Sequence, residues 1–265
     1  MKPALLLLNR LGRRTVAAVD AVGYGAGLVA EAMLFTVVGR RRGQPVRFAA
    51  IVEQMRQVGF DAIPIVMLLS LTVGLMLAIQ FIATLSEFGA QTQVVLAVAK
   101  SVTREFGVLI TGILVAGRSG SSFAARIGSM SVSQEVDALG VMGIDPVRYL
   151  VAPALVAMLL MLPVLTVLSD AAAIFGAALY SAPMLDISVP TYLAQTLEHL
   201  TPRDVWEGLA KSVVFALLIT VIGVATGFSV SGGAEGVGRA TTRAVVVSIS
   251  AIIVADMIFS FFLNR

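Results

Sequence analysis

Three charged side chains, Lys100, Arg104 and Glu105, interrupt an otherwise largely apolar stretch from Phe88 to Gly117, and a fourth, Asp256, sits inside the apolar run Ala244–Leu263. Each such charge costs about 2.5–3.5 kcal/mol at the centre of a bilayer, so three facing lipid would cost about 7–10 kcal/mol. They must pair with one another or border a wet cavity. Lys100 and Arg104 are four residues apart and share a helix face, so they repel unless an acid lies between them. Glu105 and Asp256 are the acids available. Two readings stay open: a structural ion pair that locks helices together, or a polar patch inside a substrate cavity. Lys211 falls at the outer end of another apolar run and can snorkel to the interface.

Other chemistries are excluded by what the chain lacks. It has no cysteine and a single histidine, His199, which removes disulfides, zinc–thiolate sites, iron–sulfur centres and histidine metal clusters. No nucleophile–base set is present, so an enzyme is not expected. The glycine-rich run Ser231–Thr242 lacks the Lys-Ser/Thr of a phosphate-binding loop and follows no strand. No cofactor is expected in this chain, and any ATP and Mg must be handled by another.

These residues need elements to carry them, and composition says which. Of 265 residues, 58% are hydrophobic and 13% charged, against about 25% charged in soluble domains. The mean hydropathy is +0.94. The expected fold is an all-α integral membrane protein with about five transmembrane helices, near 62–86, 88–117, 149–170, 212–228 and 244–263. An N-terminal region 1–61 precedes the transmembrane domain 62–265. Within it, 15–38 reads as an amphipathic helix at the interface, and Met1–Arg14 does not read as a signal peptide. The stretch 149–185 would measure about 55 Å as one helix, longer than a ~30 Å hydrocarbon core. We expect one span plus a continuation at the far surface, unless Pro163 or Gly176 breaks it.

Five spans put fourteen of the 19 Lys/Arg on one side and three on the other, with Lys100 and Arg104 inside the second span. Positive residues mark the cytoplasm, so the N-terminus is expected inside and the C-terminus outside. The basic balance follows juxtamembrane segments, and nucleic acid is not expected as a partner.

Between the second and third spans, 119–140 carries two short helical patterns. Phe123, Ile127 and Met130 share one face, and Val132, Val136 and Leu139 share another, with Glu135 and Asp137 off it. Ser131 and Gln134 suggest a capping box for the second helix, and Gly140 a stop. A compact apolar-faced pair of this kind suits a protein partner. Folding back on the membrane is the plainer alternative. Gly112-x-x-x-Ala116 and Gly223-x-x-x-Gly227 have the spacing that lets helices approach closely.

Five ordered motifs give the sequence a resemblance to the MlaE family of permeases: Arg104-Glu105-Phe106-Gly107; Ala116-Gly117-Arg118-Ser119-Gly120-Ser121; Ile127-Gly128-Ser129-Met130; Asp137-Ala138-Leu139 with Met142-Gly143-Ile144-Asp145-Pro146; and Gly232 to Thr242. That resemblance runs from about residue 45 to 263. It implies a homodimeric phospholipid permease of an ABC transporter in the bacterial inner membrane, with a cytoplasmic ATPase, a periplasmic MCE protein and a STAS-domain protein as partners. It implies a lipid cavity bordered by Arg104, Glu105, Lys211 and Asp256, with Arg104 near an anionic phosphate. The ATPase contact would use Phe123, Ile127, Met130, Glu135, Val136 and Leu139. Two positions depart from the family pattern: Arg126 stands where an acidic residue is usual, and Val108 where a proline is usual. Two other classes compete: an ion-coupled carrier using Glu105, Asp170 and Asp256 as a relay, and a non-transporting scaffold for an MCE ring.

Overall fold

A computed structural model describes residues 46–263 and, before them, 12, 16, 19, 20 and 23–36. Most of Met1–Arg14 and the basic run Arg40–Arg42 lie outside the described residues. Every regular element among the described residues is helical. They are α1 (23–36), α2 (Phe48–Val58), α3 (Ile63–Glu87), α4 (Val94–Ser101), α5 (Gly107–Val115), α6 (Ser121–Val132), α7 (Glu135–Val141), α8 (Ala152–Met184), α9 (Val189–His199), α10 (Pro202–Phe228) and α11 (Gly233–Leu263).

Among the described residues, four helical runs are long and apolar enough to cross a membrane: Phe48–Glu87, Val147–Met184, Pro202–Phe228 and Gly233–Leu263. The expected second span is built differently. Residues 94–132 form one continuous helical rod in which π turns at Val102–Phe106 and Ala116–Gly120 separate α4, α5 and α6. Each π turn adds a residue to the helical repeat and so rotates the face that follows.

The third span differs too. Neither Pro163 nor Gly176 breaks α8, which runs 33 residues without interruption. With the preceding π turn it is about 57 Å long at 1.5 Å per residue, so the continuation 170–185 stays in line with the span. α3 and α8 pack closely because each offers the other a glycine. A side chain at Gly74 would strike the Ala173 backbone, and one at Gly176 would strike Leu71. Ser70 and Ser169 share a hydrogen bond of 2.7 Å at this crossing, and Ser169 also donates to the Gly107 carbonyl at 3.2 Å. Two polar hydroxyls are thereby satisfied inside an apolar interior.

The glycine pattern of α10 works the same way. Gly223 lies against the Gly120 carbonyl and Gly227 against Ile127, so α10 lies flush on α6. On α1, Gly25, Leu28 and Ala32 are buried on one face, with Gly25 against Val221 of α10. One end of the bundle gathers Arg47, Arg118, Arg126, Arg148, Arg239 and Arg243. The start of α10 and the end of α11 lie at the other.

Candidate functional site

The first π turn carries Arg104 and Glu105 to the start of α10 and the end of α11. Pro202 opens α10 with its ring in the first turn, where a missing N–H costs nothing. Asp204 then accepts from the backbone N–H and the hydroxyl of Thr201, both at 2.8 Å. Its other oxygen accepts from Arg104 Nε at 2.5 Å. Glu207, one turn on, lies 3.7 Å from Arg104 and takes a 2.8 Å hydrogen bond from Arg203.

Lys211 comes next on the same face of α10. Its side chain is 2% exposed, and its ammonium lies 2.7 Å from Glu105 and 2.9 Å from Asp256. It also donates to the Arg104 carbonyl at 3.0 Å and to Ser260 at 3.3 Å. Ser260 in turn donates to Glu105 at 2.8 Å. An unpaired ammonium in this enclosure would be prohibitive, and two carboxylates with two further acceptors make it tolerable.

The structure therefore brings Arg104, Glu105, Lys211 and Asp256 into one network, but it divides them. Lys211 and the Asp256 side chain, 12% exposed, are enclosed between helices. Lys211 does not snorkel to the surface. Arg104 and Glu105 keep 28% and 32% of their side chains exposed on the flank of the bundle. Arg104 is not an open cation awaiting a phosphate, because Asp204 and Glu207 already neutralise it. Arg203, 70% exposed, is the cation of this network most open to an anion.

Asp204 and Glu207 are not legible in the sequence because 186–211 reads as a connecting segment, and Ser260 is one hydroxyl inside the apolar run 244–263. Asp204, Glu207 and Lys211 fall at i, i+3 and i+7, one face of a helix, which is the signal that points to them. Glu105 and Asp256 converge on Lys211, whereas the Asp170 carboxylate fills the space that a side chain at Gly107 would need. Among the described residues, no three His, Cys, Asp or Glu side chains come together as a metal ion would require.

At the arginine end, α6 and α7 form the expected helical hairpin with its faces assigned differently. Phe123 and Ile127 are buried in the bundle core, and Leu139 is 8% exposed. Met130 and Val136 are half-buried against the same core. The apolar face of α6 is spent on α10 and α11, and α7 packs against α6. What faces outward is Val132, Glu135 and the tip Val141–Met142, with Val141 90% exposed. The capping box is absent. α6 runs on through Ser131 to Val132, Gln134 takes a left-handed φ of 60°, and Ser133 rather than Ser131 bonds Glu135, at 2.8 Å. Gly140 lies inside α7, and the left-handed stop is Gly143 at φ 73°.

This architecture, a bundle of long apolar helices with a charged flank at one end and a helical hairpin at the other, has relatives. The family described as "Permease MlaE" matches residues 51–262. The chain belongs to the MlaE permease family. A Rickettsia bellii protein named as a probable ABC transporter permease is 34% identical over 256 residues, covering 97% of each chain. A Haemophilus influenzae protein named as the MlaE permease of an intermembrane phospholipid transport system is 31% identical over 230 residues, covering 85% of this chain and 88% of its own. The chloroplast protein TRIGALACTOSYLDIACYLGLYCEROL 1 of Arabidopsis thaliana is 37% identical over 210 residues, covering 79% of this chain and 60% of its own.

As an MlaE permease, the chain is a multi-pass membrane transport subunit rather than an enzyme. Its glycine-rich motif gains a structural reading. Val230–Gly232 make the turn, with Gly232 and Gly233 at φ 89° and 70°, and the rest of the motif is already the first turns of α11. Gly236 is required there because any side chain would meet the Ser231 carbonyl.

Proposed function

We propose that this permease moves phospholipid between the bacterial inner membrane and a periplasmic MCE protein, as a homodimer driven by a separate cytoplasmic ATPase that binds ATP and Mg. A STAS-domain protein is a further proposed partner of that ATPase. The carrying observation is the exposure of Arg104 and Glu105 on the flank of an apolar bundle. A charge facing lipid costs about 2.5–3.5 kcal/mol at the bilayer centre and less toward a helix end, and bordering water or a second polar surface removes that cost. A second copy set against this flank encloses a chamber with a polar edge and apolar walls. The name of the Haemophilus influenzae relative supports phospholipid as the cargo.

The arginine end faces the cytoplasm by the positive-inside rule, which places the N-terminus inside and the C-terminus in the periplasm. The exposed tip at Val141–Met142 then points to the ATPase. Moving a two-chain lipid with about 30 methylenes through water costs about 24 kcal/mol at 0.8 per methylene. Spontaneous transfer across such a barrier runs near ~10⁻⁵ per second. A chamber that keeps acyl chains dry while the headgroup meets water and ionic edges removes that barrier.

The test is phospholipid transfer by the reconstituted complex carrying Glu105→Gln or Arg104→Gln. Transfer falls while ATPase and permease still co-purify. Unchanged transfer in an assembled complex overturns the chamber.

A further inference from the structure

At the arginine end, far from the Lys211 network, two adjoining cavities meet at Gln54 and Arg126. One, of about 250 Å³, is lined by Gln54, Asp61, Arg118, Ser122 and Arg126 among others. The second, of about 320 Å³, is lined by Arg47, Gln54, Arg126, Met130, Tyr149 and Pro153 among others. Arg126 lies about 33 Å from Arg104 along the helical rod at 1.5 Å per residue.

The polar atoms between these cavities are unsatisfied. Arg126 Nε and Gln54 Oε1 are both buried without a hydrogen-bond partner, and Gln54 is only 7% exposed. A buried donor or acceptor left unpaired costs about 1–3 kcal/mol, more where the group is charged. The neighbouring acids do not relieve Arg126. Glu53 is paired with Arg56 at 2.8 Å, and Asp61 lies between Arg56 and Arg118 at 3.7 and 3.8 Å. Burial also depresses the pKa of Arg126, offset only in part by the neighbouring Tyr149 phenol. Arg148 adds further positive charge beside Arg47 and Tyr149.

We propose that the junction of these cavities is a phospholipid headgroup site, in which Arg126 binds the phosphate and Gln54 accepts from an N–H or O–H donor of the headgroup. The second cavity supplies what a free anion would not need. Ala50, Met130, Leu150 and Pro153 give it an apolar wall for the glycerol and upper acyl carbons. Phe48, 76% exposed, and Val52, 47% exposed, continue that apolar surface along α2. A donor opposite Gln54 selects ethanolamine or glycerol headgroups, because choline offers neither N–H nor O–H. Occupancy here does not depend on the transport reading, since a lipid can sit at this site whether or not the Arg104 flank carries cargo.

The test is native mass spectrometry of the full-length chain in mild detergent, delipidated and then given phosphatidylglycerol, phosphatidylethanolamine, phosphatidylcholine or inorganic phosphate. Wild type retains one phosphatidylglycerol or phosphatidylethanolamine per chain more tightly than phosphatidylcholine. Arg126→Gln weakens that retention about tenfold or more, as expected for loss of a charge-assisted hydrogen bond, and Arg126→Lys keeps the larger part. Should Arg126→Gln fail to fold, Gln54→Met keeps the packing, removes the acceptor and abolishes the preference over phosphatidylcholine. Equal retention by a folded Arg126→Gln overturns the proposal, as does an adduct of inorganic phosphate alone. A variant that keeps its lipid but loses a cytoplasmic partner overturns it in favour of a protein contact.

Discussion

The Lys211 ammonium is held 2.7 Å from Glu105, although its side chain is only 2% exposed and the acid is one-third open to the outside. The pair spans the boundary between the solid interior and the flank, and Asp256 closes the inner side at 2.9 Å. One cation thus joins three segments, the π turn after α4, the middle of α10 and the end of α11.

Removing that cation strands two acids. Lys211→Met costs about 3–5 kcal/mol of stability, the usual penalty for breaking a buried pair from one side. Adding Glu105→Gln and Asp256→Asn to the same chain removes the stranded charges and recovers the larger part. Denaturation in detergent, followed by helicity, checks both. A single variant as stable as wild type would show that the network has little structural weight.

The hairpin at the other end separates surface from core within a few residues. Val141→Asp and Met142→Asp leave the melting temperature unchanged, because both residues are exposed, and they reduce co-purification of the ATPase. Ile127→Asp buries an unpaired carboxylate in the core and costs several kcal/mol. Normal ATPase retention with both tip variants would move the contact elsewhere.

The helical membrane architecture was legible in the sequence, because charge-free runs such as 62–86 admit few other folds. So were the charged residues that had to find partners. Glu105 and Asp256 were legible as the available acids, but the partners of Arg104 were not, since Asp204 and Glu207 belong to a segment whose polarity reads as a loop. The π turn at Val102–Phe106 also leaves no compositional mark, yet it decides which neighbours Arg104 and Glu105 reach. In the hairpin, an apolar face was correctly expected on Phe123 and Ile127. A helix docked on its own bundle and a helix waiting for a partner show the same pattern, so the sequence could not say which covered it.

Glycine positions offer a contrast between crowded and open sites. Gly176→Val forces α8 away from the Leu71 backbone and costs about 1–3 kcal/mol, the range of an overpacked core. Gly140→Ala, helical and with open space around it, is neutral or stabilising by up to about 1 kcal/mol. Thermal melting of the two variants side by side checks the difference, and equal effects would contradict the close α3–α8 crossing.

The chain has no cysteine, so single cysteines report cleanly on what each flank faces. Phe106, 39% exposed, follows Glu105, and Val167, 48% exposed, lies at the same depth because Ser169 bonds the Gly107 carbonyl. In the assembled transporter, a charged membrane-impermeant thiol reagent is to be timed against Phe106→Cys and Val167→Cys. A polar chamber beside Arg104 and Glu105 predicts that position 106 reacts about tenfold faster or more, since water reaches it and not position 167. Equally slow reaction at both positions would place that flank in lipid and contradict the chamber.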